Sequence, residues 1–459
     1  MRLTPLLPSL MLAAPLAAPL GAQGREQLAA GIDSIAGAAL REGPIAGMSI
    51  AVLRGGDTIT LKGYGFANLE HRVPASAKTV YHIASITKNF TAAAILRLQQ
   101  AGKLTLGEDI QRLVPQFQTR TRRVTIAELL NHTSGIRDYT QMPGFEGERD
   151  RLELPHDAIV ATIANQPYDF EPGTSWRYDN SGYFLLGLMI ERASGVSYGS
   201  YVGDSIASPL GLRDTRYCED RPIIADRAQG YHVKQSASGS ALVNADPINW
   251  NSAFSAGGMC STALDLLRWE AALDAARVLN SATLAIMRAP TRLRGDAPLD
   301  YGYGTALGEI AGHRMLGHAG SGAGFTSVLL RLPDDDITIV VLANSDSRAN
   351  ARVIGARIVR LILNAPQRQT LTADPPARLA RYVGVYDTQL GRLETYVAVD
   401  GLHARPPGTR DTGLLMQRIA EDTFRIGDDD EIRFVIDRGR GTWAIEYQGG
   451  LLSWAGRRK

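Results

Sequence analysis

The sequence predicts an α/β chain of the α+β kind: an antiparallel sheet flanked by helices, an all-helical subdomain inserted within it, and a separate antiparallel β-domain at the end. Three observations predict it. Apolar runs around a Gly-Gly-Asp turn in "MSIAVLRGGDTITLKGYGFAN" have the pattern of a β-hairpin. Strand patterning returns only at "YGYGTALGEIAG" and "FTSVLLRLPDDDITIVVLANSD", so the two ends of one sheet enclose a long helical stretch. The last ~80 residues alternate apolar and polar positions around Asp-Gly and Gly-Gly turns, as an antiparallel sheet does.

Taken in order, residues 1–22 read as a secretory signal, with one early Arg, a Leu/Ala run broken by four prolines, and small residues at its end. The expected product is exported, periplasmic or secreted, with no stable membrane span after cleavage, since no later stretch has about 18 uncharged apolar residues. Residues 23–364 form the main domain, which is expected to open with strands. In it Ile86, Phe90, Ala93, Ala94 and Leu98 recur at helical spacing, with Gly102 as a stop. Residues from about 105 to 250 read as mainly helical with loops, and "ARVIGARIVRLILN" as a last amphipathic helix. A Pro-rich polar linker covers 365–380, and the β-domain 381–459. The Asp runs 334–336 and 428–430 sit beside strands and read as solvated turns.

With 459 residues, 44% hydrophobic and 21% charged, the chain can bury a large core. A net charge of +2 offers no basic field for nucleic acid or anionic membranes, so the expected partner is a small molecule or short peptide. Composition does not address oligomeric state. Two cysteines, Cys218 and Cys260, make no disulfide framework, and unpaired thiols are the default expectation.

Chemistry enters at "YHIASITKNF". Only six of the 49 basic residues are Lys, and only Lys88 has a Ser three positions before it, Ser85. A serine hydroxyl attacks only when a neighbour takes its proton, and a lysine kept neutral can do so. Ser-x-x-Lys at a helix start delivers that contact, and the Ser85 N–H can help hold an oxyanion. Two further patterns join it: Tyr178-Asp-Asn180, the only Tyr-x-Asn among sixteen tyrosines, and His318-Ala-Gly320 leading into a strand.

With these three motifs in order, the sequence resembles serine hydrolases of the β-lactamase and penicillin-binding-protein superfamily, in the class C β-lactamase, D-aminopeptidase and esterase branch. The likeness runs over about residues 28–364 and includes "LLNHTSGIRD", "SAGGMCSTALDLLRW" and "YGYG". It implies a β-lactamase-like sheet, an acylated Ser85, Lys88 as its proton-accepting partner, and Tyr178 as general base. Asn180 would bind the substrate amide or Lys88, and His318 and Gly320 would line the strand edge under the substrate. The Ser321 N–H would complete the oxyanion hole. No metal or organic cofactor is implied. The end domain resembles small lipocalin-like barrels through "YVGVY".

A phenol of ordinary pKa near 10 serves as a base only beside positive charge, for which Lys88 and His318 are the candidates. His318 stands where the resemblance expects Lys, which weakens any carboxylate anchor. The expected function is therefore acyl-enzyme hydrolysis of D-amino-acid amides, small peptides or esters. The alternatives are a class C-like β-lactamase or DD-carboxypeptidase, and a non-catalytic penicillin-binding-like receptor. Among competing motifs, "GVSYG" would make Ser197 a nucleophile, but helical spacing before it and Gly195 as a stop point to Ser197 as a helix cap. His132 reads as a structural loop residue near the site, His313 has no nearby acidic partner at ligand spacing, and Asp179 reads as solvent-facing.

Overall fold

The computed structural model describes residues 22–366 and 375–458, apart from short breaks at 143, 146, 237–238, 295–297, 348–349, 389–390, 399–400, 406–413, 427–429, 438–441 and 449–452. Residues 1–21 of the expected signal, much of the expected linker and Asp428–Asp429 lie outside the described residues.

A seven-stranded sheet runs in the order Ala306–Ile310, His313–Gly322, Phe325–Leu332, Ile337–Ala343, Gly47–Arg54, Asp57–Asn68, Val73–Pro74. The pairing of Met48 with Ala343 through Arg54 with Ile337 joins its two halves across most of the chain. Side chains alternate faces along a strand. Met48, Ile50, Val52, Ile339 and Val341 enter one core, while Ala51, Val340 and Leu342 enter the other.

The first core is covered by helices Ala22–Glu42 and Ala351–Ile362. The first of these corrects the expectation that strands open the domain. Ile32, Ala36 and Ala39 are fully buried at helical spacing, so its packing face is apolar. The second core holds helix Thr87–Gln100, with Phe90, Ala93, Ala94 and Leu98 inside it, and the inserted helices, the longest being Asn180–Ser194. The insert also carries a hairpin, Tyr231–Ser236 with Gly239–Asn244, which its helical reading did not contain.

Strands Arg216–Tyr217, Met259–Ser261 and Tyr81–His82 form a small sheet beneath the start of helix Thr87–Gln100. A disulfide joins Cys218 to Cys260 there, correcting the default of unpaired thiols: the sheet brings together two positions 42 residues apart, with Cα atoms at 5.4 Å. After the main domain, eight strands between Gly384 and Arg458 close into an antiparallel barrel. Tyr382, Tyr386, Leu402, Met416, Phe424, Phe434 and Ile445 fill it.

Candidate active site

Ser85 sits in a single 3₁₀ turn, Ala84–Ile86, between the strand Tyr81–His82 and helix Thr87–Gln100. Ala84 is held at φ 43°, a strained value for a residue with a Cβ, and this sharp bend presents Ser85 to a cleft of about 1160 Å³. One turn into the helix, Lys88 is fully buried. Its Nζ stands 3.2 Å from Ser85 Oγ, 2.8 Å from Asn180 Oδ1 and 2.9 Å from the Ala256 carbonyl oxygen.

Burial lowers the Lys88 pKa to about 7, against a smaller opposing pull from Asp138 and Asp179. The neutral amine is thus well populated near neutrality. Its two hydrogens satisfy the two oxygens that can only accept, Asn180 Oδ1 and Ala256 O, and its lone pair is left for Ser85.

Tyr178 lays its ring under Lys88, with the ring centroid 4.7 Å from Nζ. Its buried hydroxyl lies beside Ser85 without a well-aligned hydrogen bond. Burial holds this phenol far above its ordinary range; the Ser85 hydroxyl pulls the other way, and Asp138 and Asp179 add to the rise. Tyr178 therefore stands as a neutral phenol in the resting site.

The strand His313–Gly322 closes the opposite side. Beyond Gly317 it has no pairing with Ala306–Ile310, so 318–322 extend past that neighbour. Gly320 lets the strand approach the nucleophile: a Cβ there would lie 2.3 Å from Ile83 O and 2.9 Å from Ser85 N. Ser321 lines the cleft beside Ser85.

His318 departs from expectation. It is buried. Its Nδ1–H donates to the Ala319 carbonyl at 2.7 Å, which leaves Nε2 to accept from the Tyr301 hydroxyl at 3.0 Å. Burial and the nearby Lys88 lower its pKa to about 3. A neutral imidazole with both nitrogens engaged supplies no positive charge, so His318 is removed as a partner for a Tyr178 phenolate.

Asn180 opens helix Asn180–Ser194 and is turned toward Lys88, with its Nδ2 donating to Asp138 Oδ2 and Thr140 Oγ1, each at 3.1 Å. Asp179 is buried rather than solvent-facing: it caps this helix by accepting from the Gly182 N–H, and it faces His132 Nδ1 at 3.2 Å. Burial raises the Asp179 pKa to about 7 and that of Asp138 to about 6. Burial and Lys88 keep His132 neutral.

Asp138 and Thr140 were not singled out from sequence. The signal available was the "SGIRDYT" segment itself, whose Asp and Thr two apart form a local turn with Thr140 N–H and O–H donating to Asp138 Oδ1.

Ser197 caps the helix Tyr198–Val202 by accepting from the Ser200 N–H, and Gly195, at φ 82°, ends the helix before it, so the Gly-x-Ser-x-Gly match is not a nucleophile elbow. His313, which has no nearby acidic partner at ligand spacing in the sequence, pairs with Asp335, 22 positions on, at 2.8 Å. Asp334 and Asp336 pair with Arg314 and Arg331. Among the described residues, His82, Cys218 and Cys260 bring three ligand-type atoms within 4.8 Å, but the disulfide engages both sulfurs.

The cleft wall includes Arg137, Asp138, Asp169, Arg177 and, from the barrel, Asp387 and Arg392. Arg137 pairs with Asp169 at 2.7 Å, and Arg177 with Asp169 and Asp387 at 3.6 and 3.7 Å. No helix of the described residues is long and apolar enough to cross a membrane.

Residues 32–364 match the beta-lactamase family. A penicillin-binding protein of Bacillus subtilis (strain 168) is 29% identical over 362 residues, covering 75% of this chain and 80% of that protein. Among solved structures, the octameric penicillin-binding protein homologue from Pyrococcus abyssi superposes with a TM-score of 0.65 at 25% identity, over 94% of this chain and 99% of the other. The D-amino acid amidase of Ochrobactrum anthropi SV3, in complex with D-phenylalanine, gives 0.65 at 25% identity over 74% and 99%.

Proposed function

The chain belongs to the beta-lactamase family, and from that premise we propose that it is an exported serine hydrolase acting through an acyl-enzyme at Ser85 on amides or esters with no free carboxylate beside the scissile bond. The carrying observation is His318: neutral and with both ring nitrogens hydrogen-bonded, it offers no cation where a β-lactam or a peptide C-terminus would place its carboxylate. Likeness to the D-amino acid amidase supports D-configured amides as the first substrates to try. The Cys218–Cys260 disulfide supports an oxidising compartment.

In the step proposed, neutral Lys88 takes the Ser85 proton as Oγ bonds to the carbonyl carbon, with the Ser85 and Ser321 N–H groups around the oxyanion. Tyr178 passes its phenolic proton to the departing amine or alkoxide and recovers one from the Lys88 ammonium. Water then repeats the sequence on the ester, releasing the acid and free Ser85.

The test is to label the full chain with a fluorophosphonate and map the adduct, then compare D-amino-acid amides with peptides ending in a free D-carboxylate. An adduct on Ser85 and preference for the amides are expected. An adduct on Ser197, or faster cleavage of the carboxylate peptides, overturns the assignment, and a burst without turnover on every substrate supports a receptor instead.

A further inference from the structure

The amide of Asn180 has two chemically different ends, and its orientation decides what Lys88 meets. Asp138 Oδ1 receives both the Thr140 N–H at 3.0 Å and the Thr140 hydroxyl hydrogen at 2.8 Å. An ionised carboxylate can only accept, so the Asn180 group facing Asp138 Oδ2 must be the NH₂. Having given its hydrogen to Asp138, the Thr140 oxygen presents a lone pair to the same NH₂. Oδ1 is then forced toward Lys88 Nζ. Were the amide reversed, its NH₂ would donate into the lysine lone pair that has to receive the Ser85 proton.

We infer that Asp138 is a positioning residue for acylation: held by Thr140, it pins the Asn180 amide with Oδ1 on Lys88 and so leaves the lysine lone pair facing Ser85. The inference rests on the proposed role of Lys88. Its second consequence is electrostatic. The titratable groups facing Lys88 are Asp138 from the loop before 139, Asp179, Tyr178 and Tyr183 at and beyond the start of helix Asn180–Ser194, His132 from the loop after 130, and His318 from the strand. Both imidazoles and both phenols are neutral, so the negative charge that helps Lys88 keep its proton comes from the two carboxyl groups.

The experiment measures kcat/KM against pH for the full-length wild type, Asp138→Asn and Thr140→Val on one amide, with thermal midpoints recorded. In Asp138→Asn the plateau falls by about tenfold or more as the amide is released to turn. The acid limb moves to lower pH, by about half a unit or more, because a negative neighbour of Lys88 is gone. A purely structural lesion lowers the plateau and leaves the limb in place. An unmoved limb, a limb moved upward or an unchanged plateau overturns the inference.

Thr140→Val keeps the charge and removes one of the two acceptors of Asn180 Nδ2, so its plateau falls severalfold without a comparable downward shift. An unchanged plateau there overturns the inference even if Asp138→Asn does not fold. Failure of the Ser85 reading is separately visible as wild-type protein that takes no label at Ser85.

Discussion

At Lys88, burial does what no sequence spacing states: it brings a side chain of ordinary pKa near 10.4 down to about 7. In the proposed step the reactive form is the neutral amine. kcat/KM is therefore expected to rise with pH through about 7 and level off above it. The sign follows from the direction of the shift, because protonation below that pKa removes the acceptor for the Ser85 proton. A limb near 10 would place Lys88 as a permanent cation, and the base would have to be sought elsewhere. The contrast with Tyr178 is instructive. Both groups are buried, and burial disfavours the charged form of each, so the lysine becomes a usable base while the phenol keeps its proton.

Among the elements, the site depends on how closely the strand His313–Gly322 lies against the turn that carries Ser85. Gly320 makes this possible, and Ser327 Oγ, donating to Ile83 O at 2.8 Å from the next strand, ties the same segment down. Gly320→Ala has to push the strand away from Ile83 and Ser85, at a cost of about 1–3 kcal/mol in stability. A displacement of this kind is expected to lower acylation by about a hundredfold. Thermal unfolding and the rate of fluorophosphonate labelling check both, and near-normal labelling would mean that the strand does not form part of the oxyanion wall. The Cys218–Cys260 disulfide cross-links the small sheet whose Met259 O accepts from the Ile83 N–H, so it braces the support of the nucleophile rather than entering the cleft.

For the molecule as a whole, the barrel is part of the site's surroundings, since Asp387 and Arg392 belong to the cleft wall and Asp387 pairs with Arg177, the residue before Tyr178. The pair is long and partly exposed, worth no more than about 1 kcal/mol, so its removal is a matter of selectivity rather than folding. The double variant Asp387→Ala, Arg392→Ala is expected to change relative kcat/KM between small and large amides about threefold or more, with the thermal midpoint nearly unchanged. Identical selectivity would detach the barrel from substrate choice.

Much of the candidate site was legible because its parts are local. Ser85 and Lys88 are one helical turn apart, and Tyr178 and Asn180 flank the cap of a single helix. Gly320 and Ser321 follow His318 on one strand. The sheet was legible from period-two alternation, and the barrel from its turns. Helix Ala22–Glu42, whose Leu28, Ile32, Ile35, Ala36 and Ala39 stand at helical spacing, follows directly on the Leu/Ala run of the expected signal and was not read as an element of the domain. The hairpin at 231–244 was missed because it lies among helical patterns.

Residue order by itself therefore determined the fold class, the family resemblance and which side chains carry the proposed chemistry, since short-range geometry puts each motif together wherever it is placed. Only the tertiary structure decided their charge states and companions: Lys88 near its neutral point, Tyr178 as a phenol, His318 neutral and held by Tyr301 and Ala319, Asp138 and Asp179 buried beside them, and Cys218 joined to Cys260. Those outcomes depend on desolvation and on contacts between residues up to hundreds of positions apart, and neither quantity is a property of a local stretch of chain.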